Sequence, residues 1–92
     1  MIKSFRHKGL ERFYKTGSKA GIMPVHAKRL RLILAHLNLA EESREMGLPG
    51  LGLHPLEGDM KGFWSVSVSG NWRVIFRFEG KDAYDVNYLD YH

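Results

Sequence analysis

The chain has 92 residues, no cysteine and a formal net charge of +4. This length suits one small domain over residues 1–92, and the lack of cysteine excludes a disulfide framework and a thiolate zinc site. No apolar run reaches the ~20 residues of a membrane span, and the N-terminus lacks a signal peptide's long apolar stretch. We therefore expect a soluble, unsecreted protein.

The charge is divided unevenly along the chain. Residues 1–40 hold nine Lys/Arg and one acid, whereas residues 41–92 hold five Lys/Arg and nine acids, giving +8 and −4. Because Lys and Arg that neutralise phosphates dominate affinity for nucleic acids, the basic part favours a polyanionic partner. An ordinary solvated basic face explains it equally well.

The first half has the pattern of two helices, preceded by a possible short strand at 2–5. Leu10, Phe13 and Tyr14 have helical spacing and Gly17 suits a C-cap, while Pro24 suits the first turn of a second helix. The apolar stripe of that helix is Ala27, Leu30, Ile33, Leu34 and Leu37. Lys28, Arg29 and Arg31 fall outside the stripe, so we expect them to face solvent or a partner. Residues 41–46 suit one more helical turn, ended by Gly47.

In the second half of the chain, residue types alternate with the period of two that is typical of β-strands. Residues 64–68 and 72–78 alternate around the hairpin signal Gly70-Asn71, and Gly80 marks the next turn. Tyr84, Val86 and Tyr88 predict a third alternating face that leads to Asp90-Tyr91-His92, and residues 51–56 offer a fourth strand. The predicted fold class is α+β, with two N-terminal helices packed on a three- to four-stranded antiparallel sheet.

Two histidines stand out as candidates for proton transfer. The sequence has no phosphate-binding glycine loop, no HExxH zinc pair and no GxSxG elbow. His7, His26 and His36 lie on or beside the helices, where an exposed or satisfied imidazole is expected. His54 precedes Pro55, which favours an extended backbone, although a buried structural histidine fits equally. His92 lies beside Asp90 and the terminal carboxylate, which favour the imidazolium form of a general acid.

Arg73 adds a group that suits phosphate chemistry. A guanidinium can hold a phosphate with two hydrogen bonds and stabilise the charge that develops on a phosphorane. A surface ion pair is the structural alternative for an isolated arginine. Together with two imidazoles and a basic surface, Arg73 favours cleavage of RNA, where the ribose 2′-OH is the nucleophile and neither a metal nor a cofactor is needed.

Several separated motifs resemble one protein family. They are Ile2-Lys3-Ser4-Phe5, Leu53-His54-Pro55-Leu56 with Gly58-Asp59, Asn71-Trp72-Arg73, and Tyr88 with Asp90-Tyr91-His92. In this order and spacing they look like HigB-type toxins of the RelE superfamily, over essentially the whole chain. The resemblance implies a bacterial cytoplasmic endoribonuclease that cuts mRNA in the ribosomal A site. It also implies a cognate helix-turn-helix antitoxin as partner, with DNA bound only indirectly through that antitoxin.

The resemblance also implies roles for individual residues. The catalytic set carried over is His54, Arg73, Asp90, Tyr91 and His92, and Asn71 matches a position that reads the mRNA base. The family commonly has lysine where this chain has Glu57, and that cation could stabilise the phosphorane. Either Lys61 or Arg77, both expected to contact the RNA, covers this function, or Glu57 itself assists as a base, or this protein is a slower enzyme. His54, Asp90 and, less readily, Tyr91 all remain open as the general base.

Two other function classes stay open at this point. Relatives that inhibit gyrase keep the small α+β scaffold without the acid/base residues and act by binding a protein. A non-catalytic basic module that binds RNA would need only the charged helix.

Overall fold

The computed structural model describes residues 1–91, in which two α-helices precede a four-stranded sheet. Helix α1 spans Lys8–Thr16 and α2 spans Ala27–Leu39, and the strands are β1 (His54–Pro55), β2 (Trp64–Ser69), β3 (Trp72–Glu79) and β4 (Asp82–Asp90). Single 3₁₀ turns occupy Pro24–His26, Ser43–Met46 and Gly58–Met60. The predicted α+β class and the order of helices before an antiparallel sheet are confirmed.

Helix α1 has a side-chain cap at its start and a glycine cap at its end. The His7 Nδ1 atom accepts a hydrogen bond from the Leu10 backbone N–H over 3.0 Å, which satisfies one of the free donors of the first turn. Gly17 has a φ of 80° and donates its N–H to the Phe13 carbonyl, so the predicted C-cap is confirmed.

Helix α2 buries the predicted apolar stripe, whose five members are all nearly inaccessible to solvent. Pro24 opens the turn before it, as the sequence predicts. The loop before that turn packs closely on α1, because a Cβ atom on Gly9 would lie 2.5 Å from the Gly21 carbonyl oxygen. Arg29 departs from the prediction: its Nη2 donates to the carbonyls of Gly50 and Ser67 over 2.6 and 3.2 Å, so this side chain holds a loop instead of facing solvent.

The sheet is an antiparallel meander in the order β1-β2-β3-β4, with the helices on one face. The N-terminal segment runs parallel to β4, and the Lys3 and Arg6 N–H groups donate to the carbonyls of Ala83 and Val86, each over 2.8 Å. The predicted strand at 2–5 is therefore an extended segment with isolated bridges. The predicted strand at 51–56 shortens to His54–Pro55, because Gly50 and Gly52 adopt positive φ values that turn the backbone.

Strand β4 contains a bulge at Asp85, whose φ is 55°. Tyr88 pairs with Val74 on the helix-facing side, whereas Tyr84 pairs with Arg77 on the opposite face. The prediction that Tyr84 shares a face with Val86 and Tyr88 is therefore wrong, because the extra residue reverses the alternation. None of the helices within residues 1–91 is long and apolar enough to cross a membrane.

Candidate active site

The turn between β2 and β3 meets the end of β4. Gly70 has a φ of 55° while Asn71 has no positive φ, as in a type II′ turn with glycine at its first central position. Trp72 pairs with Asp90, and the Tyr91 backbone N–H donates to the Asn71 carbonyl over 2.8 Å. The structure therefore brings the predicted residues Asn71, Asp90 and Tyr91 to one end of the sheet.

Arg73 lies at the same end and is held by the turn itself. Its Nη1 donates to the Gly70 carbonyl over 2.6 Å and to the Trp72 carbonyl over 3.1 Å. Within residues 1–91 Arg73 forms no ion pair with a carboxylate. No described side chain therefore neutralises the positive charge of Arg73. The guanidinium keeps this charge for binding a phosphate.

His54 lies on β1, opposite Ser65, and its side chain is exposed. Ser65 and Ser67 are two residues apart on β2, and Ser67 pairs with Arg73. Side chains two residues apart point to the same face, so His54 and Arg73 share the face opposite the helices. Strand spacing and rise place their Cα atoms about 12 Å apart. A bound nucleotide could contact both side chains from between them.

The His54 ring is oriented by a backbone carbonyl. Its Nδ1 lies 3.2 Å from the Gly52 carbonyl oxygen, and a carbonyl can only accept a hydrogen bond. In the neutral ring this contact puts the proton on Nδ1 and leaves the lone pair on Nε2, which is the form that a general base requires. The segment before His54 is itself fixed, because Ser67 N–H donates to the Leu51 carbonyl over 2.7 Å and Arg29 bonds to Gly50.

Lys61 and Arg77 lie toward the other end of the sheet. Lys61 is exposed in the turn that joins β1 to β2. Arg77 is four residues along β3 from Arg73, about 13 Å away on the same face. Its Nη1 donates to Glu79 over 2.6 Å and its Nε to Asp85 over 2.8 Å. These bonds raise the pKa of the Arg77 guanidinium above its ordinary value and balance its charge.

The opposite face of the same strands contains a buried polar pair. The His26 Nδ1 atom and the Tyr88 hydroxyl are 2.6 Å apart, and the hydroxyl also accepts a long hydrogen bond of 3.4 Å from the Met23 N–H. Burial raises the pKa of Tyr88 above its ordinary value. The hydrogen bond from Met23 lowers this pKa, but its effect is smaller than that of burial. The expectation of a satisfied imidazole at His26 is confirmed. Arg29 supports the loop before His54, whereas Tyr88 supports His26 on the other face. No sequence motif signals either contact, because the bonded residues are 21 and 62 positions apart.

His92 lies outside the described residues. Glu57 is exposed in the connection between β1 and β2. Among residues 1–91, no group of three or more His, Asp or Glu side chains is placed to hold a metal ion.

Comparison with known proteins gives a consistent result. A family model described as "RelE-like toxin of type II toxin-antitoxin system HigB" matches residues 3–92. The chain is 42% identical over 92 residues to Endoribonuclease HigB of Proteus vulgaris, with both chains covered completely. It is 31% identical to Toxin HigB-1 of Vibrio cholerae, with 100% of this chain and 98% of the relative covered. A match across nearly the whole length, on a fold with the predicted order of elements, means that this chain belongs to the HigB family of RelE-like toxins.

Proposed function

We propose that this chain is a ribosome-dependent endoribonuclease that cuts mRNA in the A site and acts as the toxin of a type II toxin–antitoxin pair in the bacterial cytoplasm. The observation that carries the proposal is the junction of the Gly70–Asn71 turn with the end of β4. It places Asn71, Arg73, Asp90 and Tyr91 together, with His54 across β2 from Arg73. The Proteus vulgaris relative named as an endoribonuclease supports the reaction class.

The reaction is an attack of the ribose 2′-OH on the adjacent phosphorus. A base removes the 2′-OH proton as the new oxygen–phosphorus bond forms, and the bond from phosphorus to the 5′-oxygen breaks. The departing 5′-oxygen receives a proton from an acid. The products are a cyclic phosphate and a 5′-hydroxyl, and the step needs no metal or cofactor.

The described contacts favour His54 as the base. With its proton on Nδ1 toward Gly52, the ring offers Nε2 to the 2′-OH from an exposed position. Arg73, which has no ion pair within residues 1–91, stabilises the phosphorane. His92 donates the proton to the leaving oxygen. Asp90 and Tyr91 shape the proton transfers or position the substrate, and they are the alternative bases if His54 proves dispensable.

The remaining residues bind the RNA around the cleaved bond. Asn71 is exposed on a turn that does not require a positive φ at its position, so its amide is available to read a base edge. Lys61 contacts phosphates from the other end of the sheet. Arg77 contributes less, because Glu79 and Asp85 already balance its charge. Repression by a helix-turn-helix antitoxin completes the proposed system, and DNA is contacted only through that antitoxin.

Mapping the 5′ ends of cellular mRNA after brief expression tests this function. Cuts confined to translated regions, in phase with codons and bearing 5′-hydroxyl groups, are expected. The double variant His54→Ala with His92→Ala should abolish these cuts while the protein still associates with ribosomes. An unchanged transcript population under a toxic wild-type protein would instead indicate a toxin that acts by binding a protein target. Binding of RNA without cuts would indicate the non-catalytic module.

A further inference from the structure

Helix α2 has a second apolar stripe that faces away from the molecule's core. Val25, just before the helix, is 80% exposed, Leu32 is 50% exposed and Leu39 is 80% exposed. These residues are spaced by seven, with Ala35 also exposed between the last two. Val25, Leu32 and Ala35 line an open groove of about 600 Å³. Most surface helices have one apolar stripe, so a second one on the solvent side marks an interaction surface.

The spacing of this stripe specifies what fits it. Positions 25, 32 and 39 correspond to one position of a heptad repeat, and 28 and 35 to the other seam position. The residues that α2 buries in the core occupy the remaining face of the helix. The stripe runs for about 20 Å along the helix, which matches three to four turns of a partner helix lying alongside.

The charges along the stripe indicate the sign of the charge that a partner should have. Lys28 and Arg31 are exposed along the groove, and residues 24–39 contain no Asp or Glu. Arg31 and the internally bonded Arg29 occupy the two positions that flank a heptad seam, where charges select the partner. An amphipathic helix with acidic residues on its flanks complements this surface.

Other occupants fit less well. A second copy of this chain would bring the same basic residues against each other, because α2 has no acid to pair with them. RNA could meet Lys28 and Arg31 with its phosphates, but single-stranded bases stack on aromatic rings and not on aliphatic Val25 and Leu32.

We propose that the outer stripe of α2, made of Val25, Leu32, Ala35 and Leu39 with Lys28 among them and Arg31 at its side, is the surface that receives an acidic amphipathic helix of the antitoxin. The family assignment supplies the existence of an antitoxin, and the inference rests on it. The stripe lies on the outer side of α2, whereas His54 and Arg73 lie on the sheet face opposite the helices. Binding of the antitoxin and cleavage of RNA can therefore be altered by separate substitutions.

Calorimetric titration of the full-length toxin with its full-length cognate antitoxin tests the surface. Leu32→Asp should raise Kd by more than about tenfold, because it places a carboxylate in the apolar seam. Lys28→Glu with Arg31→Glu should also weaken binding and reduce its dependence on salt. Lys81→Glu, the same kind of charge change in the exposed turn between β3 and β4, should leave Kd within about twofold. Melting temperatures of all variants establish that each one folds.

Cleavage of ribosome-bound mRNA separates this proposal from the proposed function. Leu32→Asp should retain the wild-type cleavage rate, whereas His54→Ala should lose cleavage and retain the wild-type Kd for the antitoxin. An unchanged Kd for Leu32→Asp in a folded protein would overturn the docking surface, whatever the outcome of the cleavage assay. Loss of toxin self-association, or of ribosome binding, without a change in antitoxin affinity would also overturn it in favour of those occupants.

Discussion

The Tyr91 backbone N–H donates to the Asn71 carbonyl over 2.8 Å, joining the end of β4 to the turn between β2 and β3. Because this bond uses backbone atoms, it fixes the position of both residues while leaving their side chains exposed. In the same turn, the Gly70 carbonyl accepts a hydrogen bond from the Arg73 guanidinium. One short turn thus holds three of the residues proposed to contact RNA.

Asn71→Ala should alter which codons are cut without unfolding the protein. The substitution keeps the carbonyl that binds Tyr91, and the turn's positive φ belongs to Gly70. Only the amide that reads a base edge is lost, which is typically worth ~1–3 kcal/mol of discrimination. Sequencing of cut sites should show a relaxed preference at one codon position. An unchanged cut-site pattern would contradict the role proposed for Asn71.

Arg73→Ala should slow cleavage by about 10²–10³-fold, the range seen when one donor to a developing charge is removed. Arg73→Lys should recover part of the rate, because lysine keeps the charge and loses the planar pair of donors. Lys81→Ala, which also removes one positive charge but at an exposed position in the turn between β3 and β4, serves as the control for the change in net charge. Single-turnover rates with saturating ribosomes measure the effect. If Arg73→Ala cut at the wild-type rate, Arg73 would have only the structural role of bonding the turn.

Glu57→Lys restores the residue that the family commonly has at this position. We expect the cleavage rate at saturating ribosomes to stay unchanged, because we assign stabilisation of the phosphorane to Arg73, which makes the lysine dispensable. Glu57 is exposed, so the substitution should not disturb folding. A large increase in rate would show that the lysine's charge acts directly on the phosphorane, and that this chain is a slow enzyme without it.

The pair of His26 and Tyr88 predicts a dependence of stability on alkaline pH. Burial raises the pKa of Tyr88 above 10.0 in the folded state. Above pH 10 the unfolded chain therefore loses this proton more readily than the folded chain, so the stabilising contribution present below that pH is lost as pH rises. Tyr88→Phe should remove this part of the alkaline decline. It should also cost ~1–2 kcal/mol at neutral pH by leaving the His26 nitrogen without its partner.

Denaturant unfolding of wild type and Tyr88→Phe between pH 8 and pH 11 measures both effects, since the two proteins differ in no other titratable group. A parallel decline in the two proteins would contradict the assignment of the shift to Tyr88.

Local signals in the sequence predicted the helices well. Gly17 and Pro24 define helix ends by their own backbone preferences, and the stripe from Ala27 to Leu37 has the helical period. The bulge at Asp85 could not be predicted this way. It depends on Ser4, whose hydroxyl accepts the Asp85 N–H, and on Arg77, whose guanidinium binds the Asp85 carboxylate.

The candidate site was predicted residue by residue, but not its arrangement. Resemblance to a family identified His54 and Arg73, whereas their shared face follows from the pairing of β1, β2 and β3. Arg29 illustrates the limit of periodicity, since a residue outside the apolar stripe was expected to face solvent and instead bonds to the loop before His54. Such contacts join residues 21 to 38 positions apart, which a local pattern does not report.

Single-turnover cleavage of mRNA on pre-assembled ribosomes, measured for wild type, His54→Ala and His92→Gln, tests the central claim most directly. If the two imidazoles divide the proton transfers, each substitution should lower the cleavage rate by about 10²–10⁴-fold, while affinity for the ribosome stays within about threefold. The wild-type products should carry cyclic phosphate and 5′-hydroxyl ends. Variants that cleave at the wild-type rate and only bind the ribosome more weakly would contradict acid/base catalysis by these residues.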